Sequence, residues 1–235
     1  MIKAIFFDLD GTLLPMKNED EFTKVYFKLL CQKFVSLGID KDKFMTAVLD
    51  GLHHMENNDG TMTNEDAYWT AYEKFFENGK SEHVKIFKEF YLNEFKNVKV
   101  VCGENPFARE VIDNFKTKFK LVLSTNPLFP PEAIGTRLGF VGLKLQDFDY
   151  VSTYDNSSYS KLNSNYYTQI LNKLNLKPEE VILFGNDVKK DAEFASKIGI
   201  HPCVIEDDLD DPEGKLENFD HIKFKDIVSY INARI

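Results

Sequence analysis

The spacing of apolar residues changes along the chain, and each change predicts a different kind of element. Lys3-Ala4-Ile5-Phe6-Phe7 is a short apolar run that stops at Asp8-Leu9-Asp10-Gly11-Thr12. That is the pattern of a buried strand delivering polar residues at its carboxyl end. From Asn18 the period becomes helical: Phe22, Val25, Tyr26, Leu29, Leu30 and Val35 recur at three- to four-residue steps, with Asn18 as cap and Gly38 as stop. A second helix is predicted after Asp40, with Phe44, Val48, Leu52 and Met55 on one face. Asn57-Asn58-Asp59-Gly60 reads as a turn, and Thr63 followed by Asp66 resembles a capping box opening a third helix through Phe75. A fourth runs from Ser81 to about Lys96 on Val84, Phe87, Tyr91 and Phe95. Residues 16–97 therefore predict consecutive helices without a strand.

Beyond that block, strands and helices alternate. Pro106 opens a helix to Lys116, and Phe119–Leu123 is a strand ending at Ser124-Thr125-Asn126. A short helix follows Pro130-Pro131, and Tyr150–Ser152 is a weak strand. Tyr167, Ile170, Leu171 and Leu174 mark a helix, and Val181–Phe184 is a strand ending at Gly185-Asn186-Asp187. Val188–Lys197 is helical, and Cys203–Ile205 is a further strand. Alternation of this kind predicts an α/β fold with a parallel sheet. The helical block then reads as an insertion just after the first strand. The expected domains are a core of 1–15 and 98–235 and an inserted all-helical domain of 16–97. The acidic run Asp207–Asp211, apart from Leu209, reads as a solvated loop.

Composition narrows the function. The chain has 235 residues, 29 basic and 38 acidic, for a net charge of −9. This balance argues against a nucleic-acid or anionic-membrane surface, because phosphate backbones recruit lysine and arginine. No apolar run approaches the ~20 residues needed to cross a bilayer, and the N-terminal apolar stretch is too short for a signal peptide. Cys31, Cys102 and Cys203 are odd in number and far apart, which fits reduced thiols in a cytoplasmic protein and a packing role. His53 and His54 are expected to face solvent.

In open parallel sheets, ligands bind beyond the carboxyl ends of the strands. Those ends carry Asp8 and Asp10, then Ser124, Thr125 and Asn126, then Asn186 and Asp187, with Asp191 four residues on and Lys161 ahead of a helix. Clustered carboxylates repel one another and call for a cation, and oxygen-only ligands suit a hard ion such as Mg2+. A calcium loop of EF-hand type does not fit: its sixth position, counted from Asp8, is Leu13 where glycine is needed. Neither a dinucleotide fingerprint nor a P-loop sequence is present.

Asp8-Leu9-Asp10-Gly11-Thr12, Thr125, Lys161 and Gly185-Asn186-Asp187 with Asp191 resemble, in order, the four motifs of the haloacid dehalogenase-like (HAD) hydrolase superfamily. The resemblance implies a Rossmann-like core with a helical cap domain where 16–97 falls. It implies a Mg2+-dependent phosphatase acting on a small phosphorylated metabolite. Asp8 is then the nucleophile forming an aspartyl-phosphate, and Asp10 is the general acid and base. Thr125 binds the transferring phosphoryl group, and Lys161 neutralises it together with Asp8. Asp8, the Asp10 carbonyl and Asp187 hold the metal, with Asn186 or Asp191 completing the shell directly or through water. Two departures stand out: the fourth motif often begins glycine-aspartate, so the ligand is placed at Asp187, and Lys161 is followed by Leu162 rather than proline. Rival readings are a phosphomutase of the β-phosphoglucomutase type and a non-catalytic metabolite-binding protein.

Overall fold

A computed structural model describes residues 1–234. Among them, six strands form one sheet in the order β3-β2-β1-β4-β5-β6, all paired in parallel. The strands are β1 (Ala4–Phe7), β2 (Lys120–Leu123), β3 (Tyr150–Val151), β4 (Val181–Gly185), β5 (His201–Ile205) and β6 (Asp220–Ile222). β1 lies between β2 and β4, with Phe7 level with Leu123 on one side and Phe184 on the other. Asp8, Ser124 and Gly185 therefore emerge side by side at one sheet edge.

Side chains alternate across the pleat, so each face needs its own cover. Ile5, Phe7, Leu121, Leu123, Ile182 and Phe184 belong to one core, shared with helices α5 (Ala108–Phe115), α6 (Pro131–Phe140) and α9 (Ile227–Asn232). Ala4, Phe6, Val122, Val181 and Leu183 face the other core, under α7 (Asn165–Leu174) and α8 (Phe194–Lys197). Burial on both faces explains why these strands read as continuous apolar runs.

The helical block comprises α1 (Glu19–Ser36), α2 (Lys41–Glu56), α3 (Asn64–Tyr72) and α4 (Gly79–Leu92), followed by a 3-10 stretch, Glu94–Val101. Its starts obey the expected chemistry. The Asn18 and Asp40 side chains accept from Glu21 N and Lys43 N, at 3.0 and 2.8 Å. Thr63 accepts from Asp66 N at 3.1 Å and donates to the Asp66 carboxylate at 2.9 Å. The fourth helix stops at Leu92, short of the predicted Lys96, and the chain tightens into the 3-10 stretch.

The block meets the sheet domain along two kinds of seam. One is aromatic: Phe129 packs against Tyr26, Tyr91 and Phe95 with ring centroids 5.5, 6.3 and 6.2 Å apart. The other is polar. Buried Asn64 donates to Pro127 O at 3.0 Å, its backbone N donates to Ser157 O at 2.8 Å, and Ser160 Oγ donates to Glu56 O at 2.9 Å.

The acidic run is more than a solvated loop. Asp208 accepts from Met16 N at 2.7 Å, Asp207 from Phe224 N at 2.7 Å, and Asp211 from Lys215 N and Leu216 N at 2.9 Å each. Carboxylates here satisfy turn amides that a loop without secondary structure leaves unpaired.

Candidate active site

Gly11 takes a left-handed turn (φ +78°), and a Cβ there would collide with the amide of Asn186. Only glycine allows the loop after β1 to lie on the loop after β4. Asn186 uses both ends of its amide: Oδ1 accepts from Thr12 Oγ1 at 3.2 Å, and Nδ2 donates to Asp208 O at 2.8 Å. A carboxylate at that position has no donor for the second bond.

These turns close a cavity of about 350 Å3 at the carboxyl edge of the sheet. Asp8, Asp10, Thr125, Lys161, Asn186, Asp187 and Asp191 all line it. The residues singled out from sequence thus meet in one place, although they span most of the chain. Their roles within that place differ.

Lys161 is 3% exposed, and its ammonium donates to Asp8 Oδ1 and to Asp191 Oδ1, each at 2.6 Å. Burial alone favours the neutral amine, but Asp191 and Asp8 outweigh it and hold Lys161 above its ordinary range. Burial pushes Asp8 upward, and Lys161 pulls it back. Asp191 is fully committed: Oδ1 also accepts from Tyr167 OH at 2.9 Å, and Oδ2 accepts from Asp187 N at 3.2 Å. No Cβ fits at Gly185, because the Asp191 carboxyl occupies that space. Asp187 accepts from Lys190 N at 2.8 Å and pairs with Lys190 Nζ at 2.5 Å.

Two tyrosines to which the sequence assigns no place in the site brace it. Tyr166 OH donates to Thr125 O at 2.7 Å, while Tyr167 holds Asp191. Asn126 Oδ1 accepts from Lys161 N at 3.1 Å, tying the loop after β2 to the lysine. Arg137 was also unforeseen. It is 1% exposed, donates from Nη1 to Asp10 Oδ2, and lies over Phe129 with Cζ 4.4 Å from the ring centroid. The signal for it lay in α6, where Ala133, Ile134, Arg137 and Leu138 form one buried stripe. A charge inside an apolar stripe needs a partner.

Five carboxylates (Asp8, Asp10, Glu56, Asp187, Asp191) and three cations (Arg137, Lys161, Lys190) line the cavity. Fully ionised, they leave two negative charges, which suits one divalent cation. Among the described residues, no three His, Cys, Asp or Glu side chains are gathered closely enough to cage a metal by themselves. A hard ion held by two carboxylates and a backbone carbonyl, with water completing its shell, is the arrangement Mg2+ takes.

A second cavity of about 310 Å3 adjoins the first at Leu128, lined by Tyr26, Leu52, Tyr68, Trp69 and Phe87 of the helical block.

A parallel α/β sheet thus assembles carboxylates, a buried lysine and a hydroxyl at its strand ends. The family model of haloacid dehalogenase-like hydrolases matches residues 2–199, and the chain belongs to that family. It is 23% identical over 233 residues to glyceraldehyde 3-phosphate phosphatase of Methanothermobacter thermautotrophicus, covering 91% of this chain and 89% of the relative. The fold is similar to that of a HAD phosphatase from Thermococcus onnurineus (TM-score 0.59, 20% identity, 98% of each chain). It is also similar to a magnesium-bound HAD hydrolase from Bacillus subtilis (TM-score 0.56, 16% identity, 98% of this chain and 99% of the other). Among the described residues, no helix is long and apolar enough to cross a membrane.

Proposed function

We propose that this chain is a Mg2+-dependent phosphatase that hydrolyses a small phosphorylated metabolite through an aspartyl-phosphate. The observation that carries this reading is the buried Asp8 carboxylate with the Lys161 ammonium 2.6 Å away, in a cavity shared with Asp10, Thr125 and Asp187. An anionic nucleophile meets an anionic phosphate only where positive charge removes the repulsion.

In this reading Asp8 attacks phosphorus and the ester bond breaks. Asp10 gives its proton to the departing oxygen. Water then attacks the aspartyl-phosphate, Asp10 takes the water's proton, and Asp8 is released with inorganic phosphate. Thr125 hydrogen-bonds the phosphoryl oxygens. Lys161 stays protonated throughout, held by Asp191, and screens Asp8. Asp8, the Asp10 carbonyl and Asp187 would hold Mg2+, which supplies charge stabilisation to the phosphoryl oxygens when bound. The block of residues 16–97 serves as the cap over the site.

Asp8→Asn tests the reading. With an aryl phosphate and Mg2+, the variant should lose on the order of 10^4-fold or more in kcat, with thermal unfolding close to that of the parent. Retention of most of the activity would remove Asp8 from the nucleophile role.

A further inference from the structure

Arg137 is a buried charge that the reaction above leaves unused. Its Nη1 is taken by Asp10, but Nε and Nη2 have no hydrogen-bond partner, and neither has Asp10 Oδ1. Nε and Nη2 are not scattered donors. Together they form the side-on edge of the guanidinium, the fork that grips two oxygens of one planar anion in parallel bonds. An aliphatic side chain of similar volume would fill the same place beside Phe129 without leaving donors unmet. The position is equally specific. Arg137 touches Asp10, the group placed at the departing oxygen, whereas Thr125 and Lys161 stand at the transferring phosphoryl. Arg137 lines the same cavity as all three.

We infer that Arg137 determines specificity by binding a second anionic group, carboxylate or phosphate, on the leaving-group part of the substrate. This rests on the phosphatase reading for its geometry. The edge is closed off from water beneath Phe129, whose ring packs on Tyr26 and Tyr91 of the helical block. The anion enters while the block is lifted, and the block then seals it in.

Binding tests this without turnover. The Asp8→Asn protein is titrated by calorimetry with 2-phosphoglycolate, ethylene glycol bisphosphate and ethyl phosphate, in the presence of Mg2+. The doubly anionic ligands should bind roughly 10- to 100-fold more tightly than ethyl phosphate, the range of a charge-assisted bidentate contact. Which of the two wins separates a carboxylate from a phosphate. In Asp8→Asn/Arg137→Met the ratio should fall toward one. Arg137→Lys, which keeps the charge and loses the fork, gives the same answer should the methionine variant fail to fold. Equal binding of all three ligands, or a ratio indifferent to Arg137, overturns the inference. The two readings fail separately. Wild-type enzyme that hydrolyses both kinds of ester with equal kcat/KM leaves the phosphatase standing and removes the anion site. A binding preference without hydrolysis of any ester does the reverse.

Discussion

Lys161 holds a full charge where almost no water reaches it, and it does so because two carboxylates share it. Removing the cation leaves Asp8 and Asp191 facing each other across the gap. Lys161→Met should therefore cost stability as well as catalysis, on the order of 3–5 kcal/mol for a broken buried pair, read by urea unfolding. Near-parental stability would show that the three charges are not coupled as drawn. At this scale Asp8, Asp10, Thr125 and Asp187 stand where apolar runs end and Lys161 just ahead of a helix, so they were legible as residues of the cavity. Arg137, Tyr166 and Tyr167 were not, because they sit inside apolar-periodic helices and read as spacing. The role of Asp191 was blurred for a related reason: spacing brings it to the site but does not say whether its oxygens point at a metal or at a lysine. In the structure they point at Lys161, Tyr167 and a backbone amide.

Among the elements, α1, α2 and α3 were legible through their caps, and the central strands through unbroken apolar runs. β6 and α9 escaped notice. The strand has three residues at the sheet edge, of which only Ile222 is apolar, so no periodicity can build up. The acidic run before it is the part-exposed loop its composition predicts, but its carboxylates look like bare surface until their backbone partners are known. α4 carries a testable titration. His83 is buried among Phe34, Tyr72 and Phe76, and its Nδ1 lies 2.7 Å from Tyr72 OH. Burial disfavours the imidazolium and lowers its pKa in the folded chain. Above the unfolded value of about 6.5 both states are neutral and nothing changes. Below it the unfolded chain takes up a proton that the fold refuses, so stability falls with pH. His83→Phe should flatten the fall in Tm between about pH 7 and 5. An identical slope in the variant would show that His83 gains its proton in the fold as easily as in the open chain.

For the whole molecule, the proposed reading places Mg2+ among the five carboxylates and three cations of the cavity. Chelation should abolish hydrolysis of an aryl phosphate and lower Tm, and Mg2+ should restore both. Activity that survives exhaustive dialysis against chelator would contradict the charge balance. The parallel sheet and the inserted helices were legible from alternation alone, since the pattern changes where the chain leaves the sheet and again where it returns. What alternation does not carry is the pairing across the seam, because Asn64, Phe129 and Ser160 recognise partners far away in sequence.

That seam has a mechanical consequence. Ser160 grips the carbonyl of Glu56 at the end of α2, and the next residue in the chain carries the ammonium that sits on Asp8. One peptide unit thus links the end of α2 to the counter-ion of Asp8, and in the proposed phosphatase any shift of the helices would reach that lysine. On that reading admission of a guest and arming of the attacking oxygen would be geared together, and a slack tooth at Ser160 would be felt in the timing of chemistry and not only in the grip on ligand.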